Sequence, residues 1–213
     1  MPKRENISMS VIRRLPRYYR FLIHLKGKGV TRISSTELST KLGLTASQIR
    51  QDLNCFGGFG QQGYGYIVDQ LCDEIANILG LSHGYKAILI GAGNLGQAIA
   101  SHMSFESEGF RLMGIFDNSP QKIGTIINGH TVRDVSGIDE FCKNEKPIMA
   151  VFCIPRDTVG FLTEHLYGLG IRNFWNFSHY DISMKYTDAL VENVHLNDSL
   201  MTLCYRISNS SEK

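Results

Sequence analysis

The chain has 213 residues, 43% of them hydrophobic, and a formal net charge of +2 at pH 7. That length allows a sizeable core in one or two domains. The sequence has no apolar run of membrane-spanning length and no signal-peptide core, so we expect a cytoplasmic protein without a membrane partner. Its five cysteines are odd in number, far apart and without a C-x-x-C pair, which predicts neither a disulfide framework nor a metal site.

The charge is unevenly distributed along the chain. Residues 1–56 carry eleven lysines and arginines against three acidic residues, a net charge of +8, and the remainder has a net charge of −6. A basic front segment joined to an acidic body predicts that the front binds a polyanion. Charge alone leaves DNA, RNA and anionic lipid open, so the motifs must distinguish them.

The first predicted helix runs from Val11 to Lys26 and offers several apolar residues to a core. Its basic side chains are predicted phosphate contacts: Arg13, Arg14 and Arg17. The alternative is a solvated helix face, because arginines are common on protein surfaces.

Two capping-box signatures follow in quick succession, Ser34-Ser35-Thr36-Glu37 and Thr45-Ala46-Ser47-Gln48. They predict two short helices, the first ending at Gly43 and the second covering residues 46–56, which is a helix-turn-helix. The second has one apolar face, formed by Ile49, Leu53 and Phe56. Its outward side chains suit base edges and phosphates in a major groove, and the predicted DNA contacts are Ser47, Gln48, Arg50, Gln51 and Asn54.

Residues 57–66 are too rich in glycine for a helix and predict a tight β-hairpin, the wing of a winged-helix domain. We expect the wing, with Gln61 and Gln62, to approach the minor groove or the DNA backbone. A helix from Ile67 to Leu79 and a short polar linker over residues 80–84 follow. The predicted DNA-binding domain therefore covers residues 1–80.

A nucleotide-binding pattern begins with the apolar run from Ala87 to Ile90. It continues with glycines at G-x-G-x-x-G spacing, a helix-like stretch, a second apolar run and an acidic residue. In this context the glycines allow a tight turn, close approach of a pyrophosphate and tight packing of the next helix. The predicted cofactor contacts in the loop are Gly91, Ala92, Gly93, Asn94, Leu95 and Gly96.

The acidic residue is Asp117, which lies 21 positions after Gly96, where a carboxylate that binds the adenosine ribose is expected. Its charge disfavours the 2′-phosphate of NADP, so the expected cofactors are NADH and NAD+. The alternative is an Asp that only shapes the turn Asp117-Asn118-Ser119-Pro120.

From Lys86 onward strands and helices alternate, which predicts a parallel sheet covered on both faces over residues 85–190. Two further predicted strands, over residues 148–154 and 171–177, end at Pro155, Asn176 and Phe177. Ligands bind such sheets at the carboxyl ends of the strands, so these three residues are predicted neighbours of the nicotinamide half. Each is also compatible with a plain strand-end turn.

Four segments together resemble the Rex family of redox-sensing transcriptional repressors: Leu15-Pro16-Arg17-Tyr18-Tyr19-Arg20, Ala46-Ser47-Gln48-Ile49-Arg50-Gln51-Asp52-Leu53, Gly63-Tyr64-Gly65-Tyr66 and Gly91-Ala92-Gly93-Asn94-Leu95-Gly96. The resemblance covers essentially the whole chain. It implies an α/β protein with an N-terminal winged-helix domain, a Rossmann-type parallel-sheet domain and a C-terminal swapped helix, here residues 196–208. It also implies a bacterial homodimer that binds a palindromic double-stranded operator when NADH is scarce and leaves it when NADH binds.

The end helix has Leu200, Leu203, Cys204 and Ile207 on one face, and these side chains suit an exchange between subunits. The alternative is an amphipathic helix that packs on its own subunit.

Several positions depart from the family pattern. In the wing, Gln61 and Gln62 replace a common basic pair, which predicts fewer phosphate contacts and a weaker salt dependence. His102 and His195 align with a Tyr and an Asp that the family uses, with an arginine matching Arg20, to distinguish NADH from NAD+. Arg20, His102 and His195 are therefore the residues predicted to couple the bound nucleotide to DNA binding. Because two of them are histidines here, the nucleotide preference of this protein stays open. The two histidines also raise the hypothesis that operator binding depends on pH between about 6 and 8, against the alternative of two surface histidines without a role.

A competing class is a small NAD-dependent oxidoreductase with a basic N-terminal extension. Little chain remains for a substrate domain, and no base is paired with an evident substrate pocket, so we expect no catalytic residues and no enzyme. A third possibility is that the Rossmann-like unit binds coenzyme A. Asp117, at the end of the second strand, favours a ribose diol instead.

Overall fold

The structure is a computed structural model that describes residues 7–57, 60–61 and 64–210. The chain divides into two compact units, the first ending at Ser82 and the second beginning at His83. In these described ranges no helix has both the length and the apolar character needed to cross a membrane.

The described part of the first unit contains five helices and three short strands. The helices are α1 (Met9–Ile12), α2 (Leu15–Gly27), α3 (Ser35–Leu42), α4 (Ala46–Asn54) and α5 (Val68–Leu79), and the strands are β1 (Arg32–Ile33), β2 (Gly60–Gln61) and β3 (Gly65–Ile67). The helix-turn-helix is therefore α3 and α4, as predicted. The recognition helix is two residues shorter than expected, because Cys55 and Phe56 form a turn.

The prediction of one helix from Val11 to Lys26 is wrong, because Arg13 and Arg14 separate α1 from α2. Pro16 lies in the first turn of α2. Proline has no N–H and cannot continue the hydrogen bonding of a preceding helix, whereas it is well tolerated in a first turn. The helix therefore restarts at Leu15.

The caps of α3 and α4 differ. Ser34 and Glu37 form a complete capping box, in which the Ser34 Oγ accepts from the Glu37 N–H and the Glu37 carboxylate accepts from the Ser34 N–H. At α4 the Thr45 hydroxyl accepts from the Gln48 N–H at 3.1 Å. The Gln48 amide does not return to Thr45 and instead donates to the Asp52 carboxylate at 2.8 Å. The second box is thus only half formed, because a charged acceptor lies one turn further along the helix.

The three strands of the first unit form a small antiparallel sheet in the order β1-β3-β2. The pairing of β2 with β3 is the expected hairpin of the wing. The pairing of β1 with β3 connects the start of the helix-turn-helix with the end of the wing. Helices α2 and α5 pack together on a core with fully buried Leu15, Leu22, Ile49, Val68 and Ile75.

The second unit is built on a seven-stranded sheet in the order β10-β9-β8-β4-β5-β7-β6. Its strands are β4 (Tyr85–Ile90), β5 (Phe110–Asp117), β6 (Ile126–Ile127), β7 (His130–Asp134), β8 (Met149–Phe152), β9 (Asn173–Asn176) and β10 (Leu190–Asn193). All the pairings are parallel except that of the edge strand β6 with β7. The chain builds outward from β4 to β7 and then returns to the other side of β4 with β8. The topological switch point therefore lies between β4 and β8.

Helices α6 (Asn94–His102), α7 (Ile138–Glu145) and α8 (Arg156–Gly168) connect these strands. Alternate residues of β4 enter opposite faces of the sheet. Ile88 and Ile90 join one buried cluster with Phe116, and Ala87 and Leu89 join another. The expected Rossmann-type parallel sheet, covered on both faces, is confirmed.

The last helix, α9 (Leu196–Ser210), contains no buried residue. Its large apolar side chains are exposed by about half or more, as at Leu200 with 65%, Met201 with 62% and Ile207 with 58%. The alternative that this helix packs on its own subunit is therefore wrong.

Candidate nucleotide site and DNA interface

The loop between β4 and α6 depends on two of its glycines. A side chain on either of them would collide with backbone atoms in this conformation. A Cβ on Gly91 would lie 2.5 Å from the Cys153 carbonyl oxygen, and Gly91 has a φ of 102°. A Cβ on Gly96 would lie 1.8 Å from the Gly91 carbonyl oxygen. The first and third glycines of the motif thus hold the tight turn and the close approach of helix to strand that the motif predicts.

Gly93 is different, because a Cβ there would meet no atom within 4 Å. It precedes α6, and no side chain caps that end of the helix. The first N–H groups of α6, beginning at Asn94, therefore face open space at the positive end of the helix dipole. This cradle fits a pyrophosphate, and a side chain at Gly93 would fill it.

Two other predicted contacts in the loop, Ala92 and Leu95, are placed differently from Gly93. Ala92 is fully buried and its N–H donates to Asp117 Oδ2 at 2.6 Å, so it shapes the loop and has no donor left for a phosphate. The Leu95 side chain is exposed and lies beside a second cavity, described below.

Asp117 shapes the turn, which is one of the two roles that the sequence left as alternatives, and it keeps the capacity for the other. Its Oδ1 accepts from the Ser119 N–H at 2.8 Å, which shapes the turn, and its Oδ2 accepts from Ala92. A carboxylate has about four acceptor positions, so two remain for ribose hydroxyls. The turn and a ribose contact are therefore compatible.

A cavity of about 470 Å³ opens beside Asp117 at the carboxyl ends of β4 and β8. Its lining is mainly apolar, with Val135, Ile154 and Leu162, and Gly91 and Pro155 also reach it. A cavity of this size and character is typical of a small-molecule site. Pro155 thus lines the same cavity as Asp117, and its place beside the nicotinamide half stays a prediction.

Asn176 ends β9, as predicted, but its side chain is not available to a ligand. It is fully buried, and its amide donates to the Tyr180 carbonyl and to Asn193 Oδ1, both at 2.8 Å. Its oxygen accepts from the N–H and the hydroxyl of Ser178. Because its hydrogen-bonding groups are engaged and shielded, Asn176 positions the turn after β9 and cannot contact a ligand directly.

That turn carries a residue that the sequence did not single out. His179 stacks on His195, with ring centroids 5.1 Å apart and planes inclined by 7°. A second cavity, of about 160 Å³, lies beside the pair and is lined by Leu95, Phe177, His179, Val194, Leu196 and Asn197. Phe177, a predicted neighbour of the nicotinamide half, is therefore in this cavity. Two isolated histidines 16 positions apart give no motif, so only the pairing of β9 with β10 reveals them.

In the first unit, the polar face of α4 is formed by exposed residues spaced three and four apart. They are Ser47, Arg50, Gln51 and Asn54. This spacing places them on one side of the helix, opposite the buried Ile49 and Leu53. Arg50 also donates to the Ser35 hydroxyl at 2.9 Å, which aligns its side chain along α3. Arg13 and Arg17 are exposed as well.

Arg14 and Gln48, which are also predicted DNA contacts, are bound to a buried carboxylate of the same unit. Arg14 donates through Nε and Nη2 to the two carboxylate oxygens of Asp52, at 2.6 and 2.7 Å. Gln48 and the Tyr18 hydroxyl donate to the same carboxylate. Asp52 is 1% exposed and the Arg14 side chain 28% exposed. Arg14 and Gln48 are therefore positioned by Asp52, and their role as free contacts to DNA is corrected accordingly.

This cluster shifts the pKa values of its members. Burial acts to raise the pKa of Asp52, but hydrogen bonds from Arg14, Tyr18 and Gln48 outweigh burial and hold the pKa below its ordinary value. Burial and the hydrogen bond to Asp52 raise the pKa of the Tyr18 hydroxyl. Asp52 is therefore stable as a carboxylate anion, bound by the cationic Arg14 and by the neutral donors Tyr18 and Gln48.

The remaining predicted residues are the two wing glutamines and the three residues expected to distinguish NADH from NAD+. Gln61 belongs to strand β2, whereas Gln62 lies outside the described residues. Arg20 is exposed on α2, His102 is the exposed last residue of α6, and His195 directly precedes α9. A search of the described residues finds no group of three or more histidine, cysteine and carboxylate side chains that would hold a metal ion. The effects predicted for Arg20, His102 and His195 stay predictions.

Two family models match the chain. One is described as the N-terminus of putative DNA-binding proteins and matches residues 6–54, and the other is described as a CoA binding domain and matches residues 82–180. The first match lies within the first unit, and the second begins at its last residue, Ser82, and otherwise lies in the second unit.

Relatives of known role match almost the whole chain. The redox-sensing transcriptional repressor Rex of Thermoanaerobacter pseudethanolicus is 51% identical over 208 residues, which cover 98% of this chain and 92% of the relative. The protein of the same name from Clostridium perfringens is 48% identical over 213 residues, all of both chains.

Solved structures agree with these relatives. The crystal structure of RSP in complex with β-NAD+ and operator DNA matches with a TM-score of 0.88 and 50% identity, over 97% of this chain and 94% of that one. The structure of RSP in complex with β-NADH matches with a TM-score of 0.87 and 48% identity, over 96% of both chains. RSP is itself described as a Rex-family repressor. Given this identity over its full length, the chain belongs to the Rex family of redox-sensing transcriptional repressors.

Proposed function

We propose that this protein is a transcriptional repressor that senses the NADH/NAD+ ratio: NADH bound to the Rossmann-type unit releases the winged-helix unit from a palindromic operator. The observation that carries this function is the combination in one chain of an exposed polar recognition-helix face with an open pyrophosphate cradle at Gly93. The full-length relatives are repressors, which supports regulation and not the alternative of a small oxidoreductase.

The DNA contacts are assigned to the first unit. Ser47, Arg50, Gln51 and Asn54 of α4 would enter the major groove, where Arg reads guanine and Gln or Asn reads adenine. Arg13 and Arg17 would contact phosphates. Gln61 and Gln62 in the wing are assigned weaker contacts, because neither releases a counterion from DNA.

The nucleotide contacts are assigned to the second unit. The N–H groups at the start of α6 would hold the pyrophosphate, and Asp117 would accept hydrogen bonds from the adenosine ribose. The cavity beside Asp117 would take the adenine ring. One family model is described as a CoA binding domain. We nevertheless favour NADH and NAD+, because the full-length structural neighbours are complexes with these two nucleotides.

Release of DNA by NADH, and not by NAD+, is supported by those structural neighbours and by the thermodynamic linkage between nucleotide binding and DNA binding. The operator complex of RSP contains NAD+. If NADH favours a state that binds DNA less well, then DNA must weaken NADH binding by the same factor. A measurement of either coupling therefore predicts the other.

We further assign α9 to dimerisation between subunits, since none of its described residues is buried and its large apolar side chains are exposed. The assigned domains are then residues 1–80, 85–190 and 196–208. A homodimer presents two recognition helices, and the half-sites of its operator should lie whole helical turns of DNA apart. A protein that acts on the chromosome of a bacterium works in the cytoplasm, which is the location we assign.

The experiment is fluorescence anisotropy with a labelled palindromic Rex-type operator at fixed salt, titrated separately with NADH and NAD+. Release by NADH and retention with NAD+ are expected. DNA binding that ignores both nucleotides would contradict the proposed function. An Asn54→Ala variant, in which the recognition face is changed, should lose operator binding while it still binds NADH.

A further inference from the structure

Two adjacent serines stand at the start of α3, and only the first is explained by the helix itself. Ser34 is the N-cap, and its hydroxyl accepts from the Glu37 N–H. Ser35 is the first residue of the helix, and its hydroxyl accepts from Nη1 of Arg50, on α4, at 2.9 Å. The second serine therefore connects the start of α3 with the middle of the recognition helix.

The hydrogen bond of Arg50 lies where the helix-turn-helix meets the wing. Strand β1 ends directly before Ser34 and pairs with the wing strand β3. The approach is close, because a Cβ on Gly65 of β3 would lie 3.3 Å from the Ser34 Cα. Burial raises the pKa of Tyr66, also on β3, and the nearby charge of Arg50 opposes that rise. Arg50 is thus surrounded by all three parts of the predicted DNA-binding motif.

The partner of Arg50 leaves its positive charge available to a ligand. Arg14 of the same unit donates to the buried carboxylate of Asp52, and that pairing compensates its charge. Arg50 is exposed and donates to a neutral hydroxyl instead. A hydroxyl acceptor fixes one nitrogen of a guanidinium without cancelling its charge. Arg50 is therefore oriented by the protein and still attracts a polyanion.

The hydrogen bond also determines which edge of the guanidinium is free. It engages Nη1 and leaves the edge formed by Nε and Nη2. Because the guanidinium is planar, the N–H groups of this edge form a rigid fork. Such a fork matches O6 and N7 of guanine in the major groove. A long side chain that is already held loses less conformational entropy on binding than a mobile one.

We propose that Ser35 is a positioning residue for base recognition: its hydroxyl holds Arg50 so that the edge formed by Nε and Nη2 binds one guanine in each half-site of the operator. The assignment rests on the proposed function and adds a residue of α3 to the specificity of α4. Ser35 acts through Arg50 and does not itself bind a base.

The test is fluorescence anisotropy of the full-length protein with a labelled palindromic Rex-type operator. Each guanine of the half-site is replaced in turn, in both half-sites, by 7-deazaguanine, which pairs normally and keeps O6 but lacks the N7 acceptor. One replacement should weaken binding of the wild type by about 5-fold or more. Arg50→Ala should bind the unmodified operator more weakly and should not respond to that replacement.

Ser35→Ala separates positioning from folding. Alanine is a good helix former and Ser35 is not the cap, so the variant should fold and should bind NADH as the wild type does in calorimetry. It is expected to bind the unmodified operator about 2- to 10-fold more weakly. Its response to the guanine replacement should also be smaller than that of the wild type. Ser35→Thr keeps the hydroxyl and should restore both properties.

Ser39→Ala is the matched control. Ser39 is a half-buried serine of the same helix, as Ser35 is, but its hydroxyl donates within α3 to the Thr36 carbonyl at 2.7 Å. This variant should bind the operator and respond to the guanine replacement as the wild type does.

Other outcomes overturn the assignment. Equal behaviour of Ser35→Ala and Ser39→Ala would show that the hydroxyl does not position Arg50. Weaker binding by Ser35→Ala with the full wild-type response to the replacement would show a merely structural role. A wild type that responds to no replacement would show that Arg50 binds a phosphate and not a guanine. DNA binding that ignores both NADH and NAD+ would contradict the proposed function alone, because the response to the guanine replacement does not depend on nucleotide.

Discussion

The carboxylate of Asp52 connects the recognition helix with α2, and its removal should loosen the first unit. In Asp52→Asn the charged acceptor of Arg14, Tyr18 and Gln48 is replaced by an amide. Breaking a buried ion pair from one side costs about 3–5 kcal/mol. The Arg14 side chain is 28% exposed and regains part of its hydration, so we expect a loss of about 2–3 kcal/mol in the free energy of unfolding of this unit.

The assay is hydrogen exchange of the full-length protein, read by mass spectrometry on peptides from α4 and from β4. A loss of 2–3 kcal/mol accelerates exchange by global opening about 30- to 150-fold in α4 peptides. Peptides of β4, in the second unit, should not change. Asp69→Asn is the matched control, because its pair with Lys26 is exposed on both sides and contributes little.

The same carboxylate predicts an acid dependence. The pKa of Asp52 is lower in the folded protein than in the unfolded chain, where it is about 3.9. Its contribution is therefore fully present above about pH 4 and is lost as the pH falls through the folded pKa. The difference in stability between wild type and Asp52→Asn should shrink below pH 4. If Asp52→Asn and Asp69→Asn exchange alike at neutral pH, the buried cluster does not stabilise the recognition helix.

Five further predictions concern other parts of the molecule. Gly96→Ala should destabilise the second unit by about 1–3 kcal/mol in thermal unfolding, because its Cβ meets the loop backbone. Gly93→Ala should keep the stability and lose NADH affinity in calorimetry, and an unaffected affinity would place the pyrophosphate elsewhere. Asp117→Asn should reduce NADH binding and also reduce the discrimination against NADPH, measured by competition. Leu203→Glu, on the exposed face of α9, should shift sedimentation toward monomer, whereas a persistent dimer would remove α9 from the interface. Gln61→Lys should steepen the dependence of log K for operator DNA on log salt by about 1.8, from one added phosphate contact in each subunit of the dimer, and an unchanged slope would mean that the wing does not reach a phosphate.

Much of the fold follows from local sequence signals. The capping box at Ser34, the cap at Gly43 and the apolar face of α4 depend on residues within one or two helical turns, so the sequence predicts them directly. The glycine loop is similar, because the crowding around Gly91 and Gly96 is set by the strand-turn-helix geometry itself.

The parts that the sequence did not predict depend on distant residues. Asp52 lies among polar residues of α4 and its partner Arg14 is 38 positions away, so nothing local indicates that the carboxylate is buried. Asn176 follows a strand in a position that suits a ligand contact, and its burial depends on Asn193, which is 17 positions away on the neighbouring strand. His179 and His195 are paired by that same strand pairing.

The glycine loop is held in place by hydrogen bonds within the protein itself. The Gly91 N–H donates to the Phe116 carbonyl at 2.8 Å, the Ala92 N–H donates to Asp117, and the Cys153 carbonyl closes the other side of the turn. A preorganised loop loses little conformational entropy on binding, which favours affinity for any ligand with a pyrophosphate. It cannot by itself discriminate between two ligands that share that pyrophosphate, because a shift in a conformational equilibrium requires a difference in interaction. The redox signal must therefore originate at the nicotinamide end of the dinucleotide, where the two ligands differ.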